Sequence, residues 1–93
     1  MEIARFEWKD HNIAKLAAHG ISQQEVNEVR DRDDWVLYRN RRYLDQVRII
    51  GPTVNERLLT IALEPTDDPA IWRPVTAWET TASERRLLWE TEQ

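Results

Sequence analysis

The run Leu58-Leu59-Thr60-Ile61-Ala62-Leu63 decides the fold, because it is the most apolar stretch in the chain. Aliphatic and β-branched residues following one another without helical spacing read as a strand buried on both faces, at the centre of a sheet. Before it, Tyr43 to Ile50 alternates, with Tyr43, Asp45, Val47 and Ile49 on one face. Trp35 to Tyr38 is a shorter aromatic strand, and Asn40-Arg41-Arg42 and Gly51 to Glu56 supply the turns. After it, Pro65 to Pro69 is a polar loop leading to a further strand, Ile71 to Trp78. Pro74 has no ladder donor, which places this strand at an edge or a bulge. Strict alternation sets Trp72 and Trp78 on one side of it, and Arg73 with Ile71, Val75 and Ala77 on the other.

The segments further out are helical, apart from the first. Ile3 to Trp8 alternates with Ala4, Phe6 and Trp8 on one side, as a half-buried strand does. Asp10 can cap a helix with Ile13, Leu16 and Ala17 on one stripe, stopped at His19-Gly20 where glycine admits the left-handed turn. Ser22 and Glu25 form a capping box for a second helix that carries Val26 and Val29 and ends in the cluster Asp31 to Asp34. Thr81 and Glu84 repeat the box before a C-terminal helix bearing Leu87, Leu88 and Trp89. The order β-α-α-β-β-β-β-α predicts a single α+β domain over residues 1–93. Its antiparallel sheet of four to five strands carries two N-terminal helices and a C-terminal helix, all packed on one face.

At 93 residues there is room for one core and not for two. No apolar run approaches the ~18 residues of a membrane span, and no secretory leader is legible, so the sequence predicts a soluble protein without a membrane partner. The lack of cysteine rules out disulfides and thiolate metal sites, and points to the reducing cytoplasm. Net charge is −4, against a protein that coats nucleic acid. Between residues 39 and 57, however, five arginines face only Asp45 and Glu56, a local balance of +3. A small basic patch on an acidic body suits a local phosphate contact. Arginine outnumbers lysine eleven to two. It binds phosphate through a planar fork, although GC-rich codon usage produces the same excess.

Phe6-Glu7-Trp8, Asn12, His19-Gly20-Ile21-Ser22 and Glu25-Val26 together resemble the opening of BrnT-like toxins of bacterial type II toxin–antitoxin systems. That opening reads F-x-W-D, then Asn or Lys, then H-G-V-S/T-x-x-E. Arg42-Tyr43 and Arg57-Leu58-Leu59 fall where the family has R-Y and G-R-L-L. Arg73-Pro74-Val75-Thr76-Ala77 and Thr81-x-x-Glu84-Arg85-Arg86 are similar to its closing segment. The resemblance implies a RelE-like fold, a cytoplasmic metal-independent ribonuclease (an mRNA interferase) with no cofactor, and neutralisation by a DNA-binding antitoxin of ribbon-helix-helix type, with which it would form an oligomer. Lys9 stands where the family has aspartate, and Trp78 where it has arginine. A catalytically silent relative that serves as a protein-binding module is the alternative.

Metal-free RNA cleavage uses the 2′-hydroxyl as nucleophile, and needs proton transfer and cations around the phosphorane. His19, Arg57 and Arg73 are the catalytic candidates, and Arg42, Tyr43 and Arg85 the RNA-binding ones. His19 also serves as a helix-terminal imidazole facing the negative end of the helix. Arg42 and Arg57 read equally as solvated strand-end charges, and Arg73 as a paired interior arginine. Glu84 reads as a capping carboxylate, and Arg85 and Arg86 as a solvated helix face. Trp72 and Trp78 are candidates for a partner interface, since tryptophan and arginine dominate binding hot spots. His11 and His19 lie off one another's face with no carboxylate spaced to join them, so no metal site is predicted.

Overall fold

In a computed structural model, the described backbone covers residues 1–38 and 46–92, and the described side chains 1–38 and 46–88. The elements are β1 (Arg5–Phe6), α1 (Asp10–Ala18), α2 (Gln23–Arg32), β2 (Val36–Tyr38), β3 (Val47–Pro52), β4 (Leu58–Pro65), β5 (Ile71–Glu79) and α3 (Ala82–Glu92). Both sequence and structure give an α+β fold with the same element order. The five strands are ordered β1-β5-β4-β3-β2, so the apolar run 58–63 does form the central strand. None of the described helices is long and apolar enough to cross a membrane.

The sheet is mixed, where the sequence predicts an antiparallel one. Strands β2 to β5 follow one another and pair antiparallel, but β1 pairs parallel with β5 through Arg5–Ile71 and Phe6–Trp72. No hairpin joins β1 to β5. The chain leaves β1 through two helices and re-enters at the far edge, so nothing forces the antiparallel sense.

Helix termini follow local chemistry. Helix α1 ends in a Schellman turn: Gly20, at φ 73°, donates to Ala17 O and Ile21 to Leu16 O. Leu16 and Ile21 are both buried in the core, closing the motif with the usual apolar contact. Its start differs from expectation, because Lys9 is the N-cap without a side-chain bond and Asp10 is already helical. Asp10 there faces the positive end of the helix. The capping box of α2 forms as read, and Asp33 ends that helix in the left-handed region at φ 57°.

The core lies between the sheet and the pair α1–α2. Leu16, Val26 and Val29 pack on Ile49, Leu59, Ile61, Leu63 and Ala77, all fully buried. Gly51 belongs to β3, opposite Leu59, rather than to a turn. A Cβ there would lie 2.8 Å from Val29 Cγ1 and 3.0 Å from Trp35 Cβ, so glycine is what lets α2 close on the sheet. The helices do not share one face. The first turn of α3 lies on the opposite, outer face, where Glu84 bonds Tyr38 and Trp78.

Pro74 sits at a β-bulge, and the bulge overturns the expected facing of β5. Leu63 opposes Pro74 while Ala62 opposes Thr76, leaving Val75 as the extra residue. An added residue reverses the alternation on either side of it. Trp72 therefore packs against the core, whereas Trp78, opposite Thr60, is on the outer face with Arg48 and Tyr38. The two tryptophans do not form one patch.

Candidate functional site

The arginines chosen as catalytic candidates are held by carboxylates. Arg57 Nε donates to Glu79 Oε1 at 2.9 Å, and its Nη1 donates to Glu25 Oε2 at 2.9 Å and Gly20 O at 3.0 Å. Glu25 is its first cause of a raised pKa and Glu79 the second. Arg57 thereby ties the start of β4 to the α1–α2 junction. Arg73 donates through Nε and Nη2 to Glu7 Oε1 at 3.1 and 2.8 Å, and lies 3.5 Å from Glu64. It is on the outer face with Glu64, and not with Ala77, again because of the bulge. Arg57 precedes Leu58 at one end of β4, while Arg73 opposes Glu64 at the other. At roughly 3.3 Å per residue they stand about 20 Å apart, too far to share one phosphate.

His19 is exposed at the C-cap of α1, beside the Gly20 carbonyl that Arg57 grips. It is therefore near Arg57 and remote from Arg73. Arg85 is exposed on α3. Arg42 and Tyr43 lie outside the described residues.

The structure assembles a different cluster, which the sequence reading did not single out. On the outer face, Tyr38 pairs with Arg48 across the β2–β3 ladder, and Trp78 lies two strands further on. Arg48 Nη1 donates to the Tyr38 hydroxyl at 3.1 Å, and that hydroxyl donates to Glu84 Oε2 at 2.7 Å. Glu84 Oε1 accepts from Trp78 Nε1 and from Thr81 N, both at 2.9 Å, while Thr81 Oγ1 returns the capping box. The capping role read for Glu84 is thus present, with two aromatic donors added. The Arg48 guanidinium carbon is 5.0 Å from the Trp78 ring centre and 5.9 Å from that of Tyr38, within cation–π range.

Electrostatics in the cluster follow from these bonds. Burial works to raise the Glu84 pKa, but the Thr81 amide, the Tyr38 hydroxyl and the Trp78 indole outweigh it and hold the carboxyl below its ordinary value. Burial, with Glu84 alongside, pushes the Tyr38 phenol up, against the pull of Arg48. At neutral pH the cluster is a relay of charge: a cation, a neutral hydroxyl and a carboxylate.

Arg48 also lines a cleft of about 240 Å³ with Lys15, Gln46, Ala62, Thr76 and Trp78. No carboxylate among the described residues lines it. Of the five half-buried arginines among the described residues, Arg30, Arg32, Arg57 and Arg73 each hold a carboxylate. Arg48 alone among them has none within ion-pair distance in the described residues. The sequence held a signal for this: Gln46, Arg48 and Ile50 alternate with the core residues Val47 and Ile49. Which face α3 would cover was not legible.

A larger cleft of about 660 Å³ lies at the β1–β5 end, between Arg5, Glu7, Asp67, Asp68 and Arg73. Its Arg73 is already paired with Glu7, and its lining holds three carboxylates against two arginines, which disfavours an anion. Among the described residues no three His, Asp or Glu side chains gather as metal ligands. No protein-family model matches the chain, and no curated protein matches it.

Proposed function

We propose that the chain is a toxin of the BrnT-like, RelE-like kind, which cleaves RNA in the cytoplasm without a metal and is neutralised by a ribbon-helix-helix-like antitoxin. One observation carries the reading. Among the described residues, Arg48 presents a cation without a carboxylate partner to a cleft lined by Lys15 and no acid, on a protein of net charge −4. Attack of a 2′-hydroxyl on the adjacent phosphorus builds charge on the phosphorane oxygens, and cations fixed beforehand at that point favour the transition state over the ground state. Arg48 and Lys15 take that role. Tyr38 and Glu84 position Arg48, and the hydroxyl bonded to an ionised carboxylate offers a route for the nucleophile's proton. The residue motifs shared with the toxin family, and the element order, support the same reading.

A second reading is favoured by Trp78. It stands where the family has arginine, and its indole is fixed by Glu84 and stacked under Arg48. A relative that has lost turnover and kept a binding surface would look like this. Expression of the chain alone in bacteria separates the two. The toxin reading expects growth arrest with degraded RNA, relieved by co-expression of a DNA-binding antitoxin encoded beside it. Normal growth at high soluble expression, with intact RNA, leaves the binding module.

A further inference from the structure

We propose that the outer-face cleft is a phosphate-binding site, in which Arg48, Thr76 and Lys15 hold one phosphoryl group. The inference rests on the RNA-directed reading for its biological source, and on the geometry of the cleft for its chemistry. Two residues that line the cleft each carry a buried polar atom without a hydrogen-bond partner among the described residues, Arg48 Nε and Thr76 Oγ1. Buried donors are nearly always satisfied, and an orphan keeps a desolvation cost that is larger when the group is charged. Two such orphans on one small cleft call for a ligand with several acceptor oxygens.

The guanidinium is also prepared for a ligand. Its Nη1 is committed to Tyr38, and the Trp78 and Tyr38 rings lie within 5.0 and 5.9 Å of its centre. Its plane is therefore set before any ligand arrives. An arginine fork fits phosphate through two parallel bonds, a match that a lysine ammonium cannot make. Lys15 adds a second positive charge, and among the described residues the lining contains no carboxylate to repel an anion. Thr76 supplies a neutral hydroxyl donor for a third oxygen. Phosphate, with oxygens to spare for all three groups, satisfies this set. Both an RNA backbone and free inorganic phosphate present it.

The test is titration calorimetry at low salt on the whole chain. The probes are inorganic phosphate, and a short single-stranded RNA whose 2′-hydroxyls are methylated so that it cannot be cut. Arg48→Lys keeps the charge and removes Nε, Thr76→Val removes the hydroxyl at nearly constant shape, and Arg5→Ala changes an exposed arginine elsewhere. The expected result is phosphate binding that falls roughly tenfold in Thr76→Val and more in Arg48→Lys, as the loss of one hydrogen bond to a charged ligand implies. Arg5→Ala binds as the parent does, and the Thr76→Val melting midpoint stays close to it. Displacement of the RNA by phosphate assigns the site to the RNA backbone, and phosphate binding without displacement assigns it to a free anion. Absence of phosphate binding in the parent chain, or binding untouched by both variants, overturns the proposal. If the parent binds the blocked RNA in this cleft yet fails to cut natural RNA, the site stands and the nuclease reading falls.

Discussion

The Tyr38 hydroxyl donates a 2.7 Å hydrogen bond to Glu84 Oε2, joining the edge strand β2 to the first turn of α3 across 46 residues. The same hydroxyl accepts from Arg48, and the same carboxylate accepts from Trp78. Three side chains on three strands, Tyr38 and Trp78 directly and Arg48 through Tyr38, are thus tied to one acid of α3 that is 7% exposed. Seating of α3 and orientation of Arg48 have a common cause.

Glu84→Ala should accordingly cost about 2–3 kcal/mol, since hydrogen bonds to a charged group contribute most and the Trp78 and Tyr38 donors lose their acceptor. Tyr38→Phe should cost about 1 kcal/mol. In a double-mutant cycle followed by urea unfolding the pair should couple, with the double variant less destabilised than the sum. Additive effects would mean that the two groups do not share a network.

Acid should loosen the same contact. The Glu84 and Glu25 carboxyls are both held below the ordinary value of 4.5. A depressed carboxyl stabilises the fold above its unfolded value and loses that contribution as pH falls through the folded one. The melting midpoint should therefore drop steeply below about pH 4.5, and Glu84→Gln should flatten that slope. An unchanged slope in the variant would place the acid sensitivity elsewhere.

The two glycines differ in kind. Gly51→Ala puts a Cβ against Val29 and the Trp35 backbone, at 2.8 and 3.1 Å, and should cost about 1–3 kcal/mol by overpacking. Gly20→Ala meets no atom within 4 Å but must hold φ at +73°, which costs roughly 1–2 kcal/mol. Combined with Val29→Ala, the Gly51→Ala penalty should shrink, whereas that of Gly20→Ala should not. Thermal melts of the three single variants and the two double variants decide it.

Arg57→Ala should lower stability by about 1 kcal/mol or less, as partly exposed ion pairs do, Arg73→Ala should shift the melt little, and both should leave RNA cleavage in place. Loss of cleavage with an unchanged melt in either variant would return that arginine to the active site.

Most of the fold was legible because its signals are local. The apolar run of β4, the two Ser/Thr-to-Glu capping boxes and the His19-Gly20 stop each depend on a few neighbouring residues. What was not legible depends on long-range geometry. The extra residue at Val75 reverses the facing of Trp72 and Arg73, and alternation counted along the sequence cannot see it. The sense of β1 is set by a partner 66 residues away. For the site, residue type pointed to Arg57 and Arg73, but only three-dimensional pairing shows that Glu25, Glu79, Glu7 and Glu64 neutralise them. Arg48 stood out only once those partners were known.

The most direct test of the central claim is cleavage of single-stranded RNA by the purified chain in EDTA, with analysis of the new 3′ ends. The account predicts 2′,3′-cyclic phosphate ends, activity unaffected by the chelator, and a loss of roughly a hundredfold or more in turnover for Arg48→Met with a folded melt, as for removal of a preset charge donor. Intact RNA in the presence of well-folded parent protein, or full cleavage by Arg48→Met, would contradict it.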